Sequence, residues 1–334
     1  MKLDTTEITA NRKHFSKIGL IMVLGTLIIY AVQLAATAIA SRIQVISDNY
    51  NLYFLAAMLP TYIIAYPLIF LMFKRIPVQA DANKKRMKPV HFIIAFLISY
   101  AGMYICNYAG TIITTIIGFF KQNDVDNVVA NLTGQLNPLV NFLILVIVAP
   151  IMEELLFRKF IIDRTAAYGE GISIMLSGLM FGLFHGNLGQ FMYAFFLGIF
   201  FGFVYVKTRN IIYTIILHMI INFFGGFVST IMLDISGYTE LLNLISSDYN
   251  AEALMALFSE HAAGLIVFML YSMLLMGFVV SGIVLFFVNK RKFKLSQGEV
   301  VIEKGQRFKT VILNVGMILY CILWIGMIIW QLIG

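Results

Sequence analysis

An all-α fold, a polytopic transmembrane helical bundle of about eight to nine spans, is what the sequence predicts, and three observations predict it. Of the 334 residues, 60% are apolar and only 12% are charged, far from the proportions of a water-soluble domain. Apolar runs repeatedly reach the roughly 20 residues that an α-helix needs to cross about 30 Å of hydrocarbon. No alternating pattern of about 10 residues, the mark of an outer-membrane barrel, occurs along the chain.

Nine hydrophobic spans follow in order, at about 18–40, 52–73, 91–119, 139–157, 172–186, 190–206, 211–231, 263–288 and 310–333. The first carries ATAIAS at 36–41, which resembles a cleavage site. Its apolar run is too long for a signal-peptide core, however, and Asp4 and Glu7 dilute the positive flank, so an uncleaved anchor is expected. The fifth and sixth spans are short, and Gly186 interrupts the chain between them, which predicts a broken helix pair. Residues 120–138 are polar and end at Asn137-Pro138, a loop signal. The Asn131-Leu132-Thr133 glycosylation pattern within them is common by chance. Residues 232–262 carry Asp234, Glu240, Asp248, Glu252 and Glu260 without Lys or Arg, an acidic loop, whereas 289–309 form a basic one. Cys106 and Cys321 match no metal or redox spacing and are expected to fill the core. No internal repeat is found.

Charge sets the orientation. With the N-terminus in the cytoplasm, the cytoplasmic segments 1–17, 74–90, 158–171, 207–210 and 289–309 hold 22 of the 24 Lys and Arg, and only Arg42 and Lys121 face outward. That is the positive-inside bias of a multi-pass cell-membrane protein. The net charge of +7 is thus accounted for by topology and anionic inner-leaflet lipid, and nucleic acid is not expected as a partner.

Of the 17 acidic residues, only Glu153 and Glu154, in APIMEELLFRKF, lie inside an apolar span. A charge at a helix centre costs at least ~2.5–3.5 kcal/mol, so an intramembrane acid is a functional-site candidate. The bland alternative is that Arg158 marks the cytoplasmic end of the fourth span and the pair is shallow and wet. On a helix the two carboxylates point about 100° apart. Glu154 precedes Arg158 by four residues, the favourable ion-pair orientation. Glu153 faces elsewhere without an intrahelical partner and, partly desolvated, suits general-base work. Pro150 is expected to kink the helix and free backbone groups.

His14, His91 and His261 fall in a tail, a helix start and a loop, whereas His185 and His218 fall within spans. His185 shares a helix face with Phe181, and His218 shares one with Asn222. A lone buried histidine is ordinarily a satisfied core residue. One acid, two histidines and an asparagine on three helices with little else polar argue for convergence. Depth agrees for Glu153 and His218, about 8 and 11 Å from the cytoplasmic side, but His185 comes out near ~20 Å, which requires tilt or a longer cytoplasmic extension of the fourth helix.

EELLFR (Glu153, Glu154, Arg158), FGLFH (Phe181, His185) and HMIIN (His218, Asn222) resemble the three signatures of the CPBP family, the Abi or Rce1-like CAAX-processing proteases, over about 139–230. The resemblance implies an intramembrane endopeptidase with 1–134, a catalytic core at 135–231, and 232–334 as its parts. It implies that Glu153 and His185 activate water, that Glu154 and Arg158 support the site, and that His218 and Asn222 form the oxyanion hole. Peptide hydrolysis needs such a base and such donors. No cofactor is expected. One Zn at Glu153, His185 and His218 is the alternative, disfavoured because HExxH is absent. An ion-coupled transporter and a catalytically silent immunity or scaffold protein are the rivals of other classes. The expected partners are a peptide or membrane-protein substrate and the lipid bilayer. Substrate identity and oligomeric state stay open.

Overall fold

The computed structural model describes residues 5–80, 83–123, 125, 134–247 and 251–333. Asp4, Asp248 and the Asn131-Leu132-Thr133 pattern lie outside the described residues. Among the described residues nine apolar helices form the bundle: α1 Thr5–Ala40, α2 Tyr50–Phe73, α3 Pro89–Lys121, α4 Pro138–Ile162, α5 Glu170–Phe184, α6 Leu188–Thr208, α7 Ile211–Ile235, α8 Ala262–Asn289 and α9 Val315–Ile333. Eight are long and apolar enough to cross a bilayer, and α5 is the short one. The chain is a multi-pass membrane protein with no strand among the described residues.

Several details differ from expectation. The sixth span is not short: α6 runs for 21 residues, because Asn187 caps it by accepting from the Gln190 N–H at 2.8 Å and the helix continues to Thr208. The break between α5 and α6 falls where expected, with Gly186 at φ +66, open to glycine at little cost. His14 is no tail residue but part of α1, its Nε2 2.7 Å from the Arg164 carbonyl. Residues 232–262 are not an irregular loop, since they hold helices Tyr238–Ser247 and Ala251–Glu260. Cys106 and Cys321 are free and only half-buried; Cys321 packs against the hydrophobic core as expected, whereas Cys106 does not reach it.

The helix α4 is not broken at Pro150. π-helical turns at Phe142–Val148 and Leu155–Ile162 flank the α-helical stretch Ala149–Glu154, and such wider turns recur at functional sites. The α5 and α6 backbones approach each other closely. A Cβ on Gly198 would lie 2.7 Å from the Gly178 Cα, and one on Gly182 would lie 2.9 Å from the Phe195 Cβ. Small residues four apart on both helices let the backbones touch, the usual basis of helix association in lipid.

The five basic segments meet at one end of the bundle. The Gln79 N–H donates to the Asp163 carbonyl and the Lys85 N–H to the Thr208 carbonyl, both at 2.7 Å, and the Lys17 Nζ donates to the Arg75 carbonyl at 3.2 Å. Residues 293–303 cross this end as a strap. The Glu170 N–H donates to the Ser296 carbonyl at 3.2 Å and the Val300 N–H to the Ala167 carbonyl at 2.9 Å. The Glu170 carboxylate accepts from the Ser296 N–H at 2.7 Å and from the Lys207 Nζ at 2.5 Å, and Ile302 is buried in the core. At the opposite end the Asn137 N–H donates to the Asn51 side chain at 2.6 Å, and Lys121 bonds the Leu332 carbonyl.

Candidate active site

Glu153 from α4, His185 at the end of α5, and His218 and Asn222 from α7 line a single cavity of about 260 Å³. Glu154 and Arg158 stand behind its floor, both 0% exposed. All six residues singled out from sequence are therefore brought together. Arg158 does not mark the helix end, because α4 continues to Ile162. This longer extension sets Glu153 about 15 Å from Asp163 along the helix, which removes much of the depth mismatch with His185.

One carboxylate oxygen organises the buried layer. Glu154 Oε1 lies 3.1 Å from the Arg158 Nη2 and 3.0 Å from the His218 Nδ1. A carboxylate paired with a guanidinium accepts, so the His218 Nδ1 carries a hydrogen and the ring presents its Nε2 to the cavity. That Nε2 is 3.7 Å from the Glu153 Oε2, too long for a direct hydrogen bond. Glu153 keeps 18% of its side chain exposed. The His185 Nδ1 lies 2.9 Å from the Phe181 carbonyl. A carbonyl only accepts, so Nδ1 is the protonated nitrogen and the neutral ring leaves its Nε2 lone pair free. Phe181 is the hub of the layer. Its ring sits edge-on to His185 at 4.9 Å and to His218 at 5.8 Å, with the Arg158 guanidinium 4.5 Å above it. Such stacking favours a desolvated cation.

Asn222 explains what Pro150 does. In the π-helical turn the Ala149 N–H bonds the Ile144 carbonyl. The next bond in that register would join residue 150 to Leu145, and a proline has no N–H. The Asn222 Nδ2 donates to that Leu145 carbonyl instead, at 2.9 Å. One amide hydrogen is thereby used, and the other remains for the cavity.

Glu153, His185 and His218 do not form a metal-ligand set: among the described residues no three His, Cys, Asp or Glu are grouped to hold an ion.

Further polar residues escaped the sequence reading. Asn107 of α3 and Gln190 and Tyr193 of α6 also line the cavity, and the Gln190 Nε2 donates to the Tyr193 hydroxyl at 2.9 Å. The Asn187 Nδ2 donates to the His185 carbonyl at 3.1 Å, fixing the turn that carries the imidazole. Amides directly after His185-Gly186, and an asparagine within an apolar 33-residue helix, were the available signals. Asp163 was also missed. It is 2% exposed, receives the Tyr205 hydroxyl at 2.8 Å and pairs with Lys159 at 2.7 Å.

Comparison with known proteins falls on the same segment. Residues 135–224 match the model of a family described as Rce1-like, the type II CAAX prenyl endopeptidases. The chain is similar to the UPF0177 protein YxdF of Lactococcus lactis subsp. lactis (strain IL1403), 29% identical over 121 residues, covering 36% of this chain and 67% of that protein. It is also similar to YdiL of Bacillus subtilis (strain 168), named as a membrane peptidase, 27% identical over 139 residues and covering 39% of this chain and 55% of that protein. No solved structure matches the chain. The resemblance carried by EELLFR, FGLFH and HMIIN is borne out over this core.

Proposed function

We propose that the protein is an intramembrane endopeptidase that hydrolyses a peptide bond with a water activated by Glu153 and His185. The observation that carries this reading is the convergence of Glu153, His185, His218 and Asn222, from three apolar helices, on one cavity. The Rce1-like match and the relative named as a membrane peptidase support the same class.

Glu153 takes a proton from water while the His185 Nε2 lone pair orients it, and the oxygen adds to the scissile carbonyl carbon. Negative charge then develops on the carbonyl oxygen. His218 already donates its Nδ1 hydrogen to Glu154, so it can donate from Nε2 only as an imidazolium. The free Asn222 amide hydrogen supplies the second donor. The proton held by Glu153 passes to the amine nitrogen as the C–N bond breaks, leaving a carboxylic acid, which gives up its remaining proton to solvent, and an amine. Arg158 neutralises Glu154 and so keeps His218 in place. No resident metal takes part in this scheme.

Purified protein in lipid, supplied with candidate peptides, tests it. Glu153→Gln should lower hydrolysis by ~10²–10⁴ while insertion and folding persist. Undiminished activity in that variant ends the assignment. Peptidomic comparison of cells carrying the two forms would then identify the substrate.

A further inference from the structure

The cavity is shut at one end of the molecule and open at the other. Toward the basic end it is floored by Phe181 and backed by Glu154, Phe157, Arg158 and Phe201, none of the five more than 1% exposed. Away from that end it extends along α4 to Leu145 and along α7 to Gly225 and Gly226. Glu153 to Leu145 and His218 to Gly226 are each about 12 Å of helix rise, and both steps lead away from Asp163 and Ile211, which lie with the basic segments. Of the residues lining the cavity, Asn107 and Gly225 are the exposed ones. The mouth therefore lies on the side opposite 22 of the 24 Lys and Arg. Such a charge split places the basic end in the cytoplasm.

We propose that the catalytic cavity is loaded from the extracytoplasmic side, and that its substrate is an extended peptide segment whose scissile bond lies in or beyond the outer half of the bilayer. The peptidase reading supplies the substrate class, and the direction of access comes from the cavity itself. Three amide side chains, Asn107, Gln190 and Asn222, line the route inward and suit the alternating N–H and C=O groups of an extended backbone. A peptide confined to the cytoplasm meets only the closed floor.

Cysteine accessibility tests the proposal. On a Cys106→Ser, Cys321→Ser background, single cysteines are placed by Asn107→Cys at the mouth and by Lys85→Cys and Lys292→Cys at the basic end. Each is treated with a charged, membrane-impermeant thiol reagent in intact cells and in sealed inside-out vesicles. Asn107→Cys should label in intact cells and lose that labelling in inside-out vesicles, with the reverse for the two lysine positions. Gly225→Cys, beside the flexible end of Met103, repeats the mouth measurement should Asn107→Cys fail to fold. Mouth labelling only from inside-out vesicles or from neither side, or labelling of Lys85→Cys in intact cells, overturns the proposal. Labelling does not require turnover. An added Glu153→Gln that stays active would sink the peptidase reading and leave the access result standing. Full hydrolysis with labelling from the wrong side would sink the access and keep the peptidase.

Discussion

Glu154 and Arg158 can be removed together in a way that separates stability from catalysis. Their charges lie 3.1 Å apart with neither side chain exposed, which at an effective dielectric of about 20 corresponds to roughly 5 kcal/mol of attraction. Arg158→Met or Glu154→Gln alone strands the opposite charge in the core and should destabilise the protein by ~3–5 kcal/mol. In the double variant no stranded charge remains and the volumes are kept, so stability should return to within about 1–2 kcal/mol of the parent. Activity should not return. The His218 Nδ1 would then face a neutral amide in place of the carboxylate 3.0 Å away, and the ring loses the charged acceptor that orients its Nε2 toward the cavity. A loss of ~10²–10³ in hydrolysis is expected in the double variant. Denaturant titration in detergent micelles reads the first effect, and peptide hydrolysis in liposomes reads the second. Additive destabilisation would show that the two side chains do not interact, and an active double variant would remove His218 from its assigned role.

Gly198→Leu should destabilise by ~1–3 kcal/mol and reduce activity, because its side chain meets the Gly178 backbone at the α5–α6 contact. Gly305→Ala, with nothing within 4 Å, should stay within ~0.5 kcal/mol of the parent, and equal melting of the two variants would contradict the close-approach account. Asn222→Ala should slow hydrolysis by ~10²–10³. It should also cost about 1–3 kcal/mol in unfolding measurements, because the Leu145 carbonyl loses its partner. An effect on rate alone would show that the carbonyl finds another donor. Strong chelators should leave hydrolysis unchanged, whereas loss with recovery on zinc addition would replace the metal-free scheme.

The bundle and the site's core were legible because acids and histidines are so rare within its spans that Glu153, Glu154, His185 and His218 stand out. Glu153, Glu154, His185, His218 and Asn222 could be paired with helix faces by spacing alone, and the structure brings those faces together. What stayed hidden depends on partners far along the chain. Asp163 sits between Ile162 and Arg164 and resembles loop, yet Tyr205 and Lys159 bury it. The service of Asn222 to Leu145 follows from a π-helical register that apolar periodicity cannot reveal, since every residue of Phe142–Val148 is apolar. Asn107 and Gln190 were passed over for a related reason: a single amide in an apolar run has no motif until a neighbouring helix supplies the cavity.

The strap at 293–303 gives the molecule an order of assembly. It is translated after Glu153, His185 and His218, and N-terminal parts of a chain generally fold first. A partly synthesised chain thus has its hydrolytic side chains in the membrane before Ser296, Val300 and Ile302 exist to hold Ala167 and Glu170. The start of α5, and through it the His185 turn, is clamped only once α8 has been made. A ribosome that stalls before the strap leaves behind an α5 without its clamp.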